Sequence, residues 1–167
     1  MAFWSRRKES PDPVEMSRQL RAQALARSAE ELGLVPGPEH PNVFGIVMET
    51  GYPEAVATLV VFVEGSTSLY FSSGGGVIGA GEHESVRATH GAFFAEAEAR
   101  LGLFSKAVET PLPAVGRVRF YARTFGGTLT AEADEQDLGE MRHGLSALFH
   151  AGHDVITAVR HASERED

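Results

Sequence analysis

Apolar and polar positions along the chain follow two periods. From Ser68 to Ser72 they alternate, with Leu69 and Phe71 on one side and Ser68, Tyr70 and Ser72 on the other, which predicts a strand. Val115 to Thr124 alternates too, placing Val118, Phe120 and Ala122 opposite Arg117, Arg119, Tyr121 and Arg123. Val43 to Glu49 reads as extended, and Ala55 to Glu64 is apolar on both faces, as a central strand is. Thr128 to Glu132 follows Gly126-Gly127, a hairpin signal because both glycines can take positive φ. The helical period governs the rest. Val86, His90, Phe93, Phe94, Ala97 and Leu101 form one stripe within Glu82–Leu103, and Leu145, Leu148, Phe149, Gly152, Ile156 and Val159 form another, in a helix starting near Gly144 with Ser146 as its N-cap. A first helix, Val14 to Leu32, follows Ser10-Pro11-Asp12-Pro13 and stops at Gly33; its apolar row, Met16, Leu20, Ala24, Leu25 and Leu32, drifts around the axis.

The connections fix how these elements join. Gly51-Tyr52-Pro53-Glu54 and Glu64-Gly65-Ser66 are too short for parallel crossovers, so neighbouring strands pair antiparallel. The predicted order is helix, three strands, helix, two strands, helix. This describes an α+β fold of two layers, helices against an antiparallel five-stranded sheet. Residues 1–13 read as a flexible leader, 14–163 as the single domain, and 164–167 as a charged tail.

Composition narrows the function classes. The chain has 167 residues, no cysteine and a formal charge of −8, which removes disulfide and thiolate chemistry and argues against nucleic-acid binding. The longest apolar stretch, near Ala55–Val63, is about half the ~20 residues a membrane helix needs, and the basic N-terminus has no apolar run behind it. The expectation is a soluble cytoplasmic protein with no cofactor, no metal, and neither nucleic acid nor membrane as partner.

Four features carry candidate chemistry. Gly74, Gly76 and Gly79 satisfy G-x-G-x-x-G between a strand and a helix, where bare amides can approach a phosphate. Ala80 and Gly81 delay the helix, however, and the preceding strands are hairpin-linked, so a bulged strand end or flexible loop accounts for the run. Beside it, Glu82-His83-Glu84 supplies potential acid–base groups, or charges that serve a helix start. His150, His153 and Asp154 have ligand-like spacing, but His143, His150 and Asp154 fall on the polar side of their helix, while His90 lies within an apolar stripe as a core histidine does. Finally, Arg117, Arg119, Tyr121 and Arg123 share one strand face with Tyr70 nearby, a basic and aromatic platform suited to docking a polypeptide, or a face whose arginines pair with neighbouring acids.

The element order from Val14 to Val159 resembles the type III secretion chaperone-like fold. That resemblance implies a homodimer, joined through the second helix, which holds an extended segment of another protein without catalysis. Phe93, Phe94, Leu101 and Phe104 would then be shared between core and interface. The expected function is a non-catalytic protein-binding module engaging partners through Tyr70, Arg117, Arg119, Tyr121 and Arg123. The alternative is a small-anion-binding or enzyme domain organised around residues 74–81, with Gly74, Gly76, Gly79, His83 and Glu84 as its site.

Overall fold

Strand β1 (Val43–Gly51) is buried along its whole length and lies at the centre of one open antiparallel sheet in the computed structural model, which describes residues 12–166. The sheet has seven strands among the described residues. They are β1, β2 (Val56–Phe62), β3 (Thr67–Phe71), β4 (Gly76–Ile78), β5 (Ser105–Lys106), β6 (Arg117–Thr124) and β7 (Gly127–Asp134), in the order β4-β3-β2-β1-β6-β7-β5. The five expected strands are all present. The two additions are edge strands of three and two residues, too short and too glycine-rich or polar to show a period of two.

Helices α1 (Pro13–Ala26), α2 (Glu84–Arg87), α3 (His90–Ala99), α4 (Glu135–Gly139) and α5 (Ser146–Glu166) cover both faces of the sheet, which corrects the two-layer expectation. One face meets α2, α3 and α5 through Ile46, Met48, Leu59, Leu69, Phe93, Phe120, Leu148 and Val155. The other meets α1 and the turns behind it through Ala24, Phe44, Val47, Val60, Phe62, Tyr70 and Tyr121, with Leu20, Leu32 and Leu34 against them. Val43 and Ile46 face the same layer although three apart, because a bulge between Val43 and Gly45 shifts the β1–β6 register.

Two predicted helices are shorter than expected. Α1 ends at Ala26, where Arg27 turns extended at ψ 129°, and residues 29–34 fold back onto the sheet. The stretch Glu82–Leu103 breaks between α2 and α3, where the Thr89 hydroxyl donates to the Val86 carbonyl at 2.6 Å and competes with the helix. Its apolar stripe survives the break: Val86, His90, Phe93, Phe94 and Ala97 are all buried. Phe93 and Phe94 are therefore core, and that face of α3 is not free to pair with a second copy. Of the predicted leader, residues 1–11 lie outside the described ones and Pro13 already belongs to α1. Residues 164–166 continue α5.

The strap before β6 closes over the end of β1. A Cβ on Gly51 would lie 2.1 Å from the Ala114 carbonyl oxygen, and Gly116 N–H donates to Gly51 O at 2.8 Å. Gly51→Ala is expected to cost about 2–4 kcal/mol, measured as a lowered midpoint of urea unfolding. An unchanged midpoint would show that the strap yields without cost.

Candidate functional site

The face of β6 that the alternation singled out is where most polar chemistry of the molecule is buried. Tyr121 is fully buried, Tyr70 is 4% exposed and Arg123 is 7% exposed. The platform is thus not open at these three positions, because α1 lies across it. At its centre is Glu49, a carboxylate in the middle strand with no exposure at all. Arg21 of α1 reaches down to it with two hydrogen bonds, Nε to Oε2 and Nη2 to Oε1, both at 2.8 Å. Thr58 on β2 donates to Oε2 at 2.7 Å. Arg21 Nη2 also donates to the Thr110 carbonyl, and the Tyr121 hydroxyl donates to the Pro111 carbonyl at 2.9 Å. Burial opposes the Arg21 charge, but the hydrogen bonds and charge of Glu49 outweigh it and raise its pKa.

A second arginine works in the opposite direction. Arg123 sends Nη1 to the Ala24 carbonyl and Nη2 to the Arg27 carbonyl, both at 2.6 Å. These belong to the last turn of α1, which has no basic residue of its own. A sheet residue therefore caps the negative end of that helix, and its guanidinium stacks 5.2 Å above the Phe44 ring. Arg117 and Arg119 instead share Glu132 on β7, with Arg117 Nε at 2.8 Å from Oε1, and Arg119 Nη1 also reaches Thr130 Oγ1. Of the five platform residues, only Arg117 is substantially exposed, at 40% of its side chain.

Two groups of this network are left over among the described residues, Arg119 Nε and the Tyr70 hydroxyl, each buried without a hydrogen-bond partner. Burial pushes the Tyr70 phenol pKa up, with Glu49 adding to the shift and Arg21 opposing it. Three cavities, of about 230, 180 and 300 Å³, meet at its side chain along the seam between α1 and the sheet.

The glycine run folds as a hairpin turn. Gly74, Gly75 and Gly76 all have positive φ; Gly74 N–H donates to Phe71 O and Phe71 N–H to Gly75 O, which closes β3 onto β4. Gly79, at φ 75°, then starts a single 3₁₀ turn, Ala80–Glu82, and not a long helix. Gly76 and Gly79 line cavities that also touch Tyr70, so part of the two candidate sets meets. His83 and Glu84 do not join them. His83 Nε2 pairs with Glu166 at the end of α5, 2.8 Å away, and Glu84 is exposed. The cavity beyond Gly79 is lined by Glu64, Glu82 and Arg87, and includes neither.

The histidines divide between core and surface. His90 Nε2 lies 2.9 Å from Thr67 Oγ1, which gives its own proton to the Gly65 carbonyl; the imidazole is therefore the donor to Thr67. Burial lowers the His90 pKa, with Arg87 adding and Glu64 opposing. His153 packs 4.4 Å from the Phe149 ring, and its pKa is lowered by burial and by His150. His143, His150 and Asp154 are exposed. Among the described residues, no three His, Asp or Glu side chains come together in a metal-binding group.

Sequence reasoning missed Glu49, Arg21 and Thr58. The available signal was a glutamate two residues after Val47, in phase with that side of β1. It read as a strand end because the strand continues two residues further than its apolar part. No family model, no curated protein and no solved structure matches this chain, and no helix among the described residues is long and apolar enough to cross a membrane.

Two expectations follow. Arg21→Met strands a buried carboxylate and should cost about 3–5 kcal/mol, while Arg21→Met with Glu49→Met should recover most of it, as read by chemical unfolding. The second concerns pH. His90 and His153 have folded pKa values below their unfolded value near 6.5, so the unfolded chain takes up protons first as pH falls. Their contribution is intact above about pH 6.5 and is lost below it. The thermal midpoint should hold from pH 8 to 7 and fall below about 6.5, and His90→Gln should reduce that fall. An identical profile in His90→Gln and His153→Gln variants would overturn the assignment.

Proposed function

We propose that the protein is a non-catalytic polypeptide-binding module that takes an extended segment of a partner as an added strand beside β4. The observation that supports this is a pair of grooves on opposite faces of one unpaired edge. Β4 ends the sheet, and nothing among the described residues pairs with its outer side. On the α5 face, Val77, Leu69, Phe71 and Ile156 line a groove of about 470 Å³. On the α1 face, Gly76, Ile78, Tyr70, Leu20 and Met16 line the cavity of about 180 Å³. Side chains of an added strand alternate between faces, so each groove receives every second one while backbone hydrogen bonds join the strand to β4.

The two edges differ in how they are protected. Β5 is two residues long, carries Lys106 and leads to Pro111 and Pro113, devices that discourage pairing. Residues 74–81 contain no charged residue and no proline, and Ile78 is 61% exposed. This role agrees with what the chaperone-like resemblance implied, grip on an extended segment, but moves it from the Arg–Tyr face to the edge beside it. Self-association uses the same edge, since Phe93 and Phe94 are committed to the core.

Selection from a library of ten-residue peptides on the full chain tests the reading. Enriched peptides should show apolar residues with a period of two. Ile78→Lys, or methylation of alternate peptide amides, should weaken binding by about tenfold or more. Enriched peptides without alternation, or equal binding to Ile78→Lys, would overturn it. Concentration-dependent dimers that Ile78→Lys abolishes would identify a second copy as the added strand.

A further inference from the structure

Tyr70 carries a second inference, which does not rest on the β4 edge. We propose that the cavity of about 300 Å³ beneath the first half of α1 binds a small amphiphilic carboxylate, whose head is received by the Tyr70 hydroxyl and Arg21 and whose apolar tail lies against Val14 and Leu112. The volume is at the lower end of small-molecule pockets, about 300–1,000 Å³. Its lining is apolar at Val14 and Leu112 and polar at Ser17, Arg21, Tyr70 and Ser72, the division an amphiphile requires.

The head group follows from donors left over. The Tyr70 hydroxyl is buried with no partner, and a buried donor left unmade costs about 1–3 kcal/mol. Arg21 commits Nε to Glu49, and Nη2 to Glu49 and Thr110. A guanidinium has five N–H groups, and Nη1 is not used for Glu49 or Thr110. Ser72 Oγ accepts from Val56 N–H at 2.8 Å and keeps its own proton to give. Every one of these groups is a donor in search of an acceptor.

Charge selects the acceptor. The charged side chains lining the cavity are Arg18 and Arg21. Glu49 does not line it, and its oxygens are taken by Arg21 and Thr58. Arg18, exposed and paired with Glu15 within its own helix, stands where an entering anion meets it. The raised phenol pKa keeps the Tyr70 proton in place throughout the neutral range.

Calorimetric titration of the full chain with decanoate and with decanol tests the site. Decanoate should bind once per chain with Kd below about 100 μM, and Tyr70→Phe, which removes one oxygen and keeps the ring, should weaken it about tenfold or more. The empty Tyr70→Phe protein should melt no lower than the parent, since the lost hydroxyl had no partner. Ile78→Lys should bind decanoate normally, because Ile78 does not line this cavity, so failure here is separable from failure of the edge reading. Three results would each overturn the proposal: no saturable decanoate binding, decanoate binding unchanged in Tyr70→Phe, or decanol binding as tightly as decanoate.

Discussion

A carboxylate with no exposure, placed in the central strand, is the constraint on which the second face of this sheet depends. A carboxylate buried there without partners costs about 3–5 kcal/mol, a large part of the net stability of a domain. Thr58 supplies one hydrogen bond from the neighbouring strand, and among the described residues the charge itself is met only by Arg21. That arginine sits on α1, so α1 must cross the sheet at this point. Burial of apolar surface would not by itself hold it, for only Ser17 and Ala24 of the helix are fully buried. Arg123 returns the interaction by taking the carbonyls that α1 leaves open at its end. The helix is thus pinned at its middle by its own cation and at its end by one from the sheet.

Pinning of this kind differs in consequence from packing. Across the opposite face, α3 and α5 fill the middle of the layer with Phe93, Leu148, Phe149 and Val155, and the groove of about 470 Å³ on that side lies out at the β4 edge. Polar clamps fix α1 at points and leave the seam between them unfilled. The three cavities at Tyr70 lie along that seam. The same sheet therefore has one face whose middle is filled by packing and one whose cover leaves space beside the Tyr70 hydroxyl.

This division explains which parts of the fold were legible in the sequence. Β3 and β6 announced themselves because each has one apolar and one polar face, and α5 because its stripe meets an apolar layer. The alternation of Arg117, Arg119, Tyr121 and Arg123 against Val118, Phe120 and Ala122 was legible too, and the structure keeps both sets on the faces the period assigned. What could not be read was that the polar face is covered. A helix lying on a polar face needs no strong apolar stripe, so the drifting row of Met16, Leu20 and Ala24 looked like shallow packing. Its early stop at Ala26 depends on Arg123, 96 residues from the Arg27 carbonyl it holds, a distance no local pattern reports. Β4 was hidden because three residues between glycines cannot display a period.

The glycine run shows how a motif and its meaning part company. The Gly74 amide and the Gly75 carbonyl are spent on the β3–β4 turn, and the positive φ at Gly74, Gly75 and Gly76 serves that turn. Yet the turn is what leaves β4 short, uncharged and, among the described residues, unpaired on its outer side, and a Cβ at Gly76 would lie 2.3 Å from the Leu69 carbonyl, so the close pairing with β3 requires glycine there. A longer or branched sequence would have filled the grooves on either side with its own side chains. The glycines thus act by subtraction: they complete the sheet's hydrogen bonding on one side of β4 and add no side chain or charge to the other, where no described residue pairs with it.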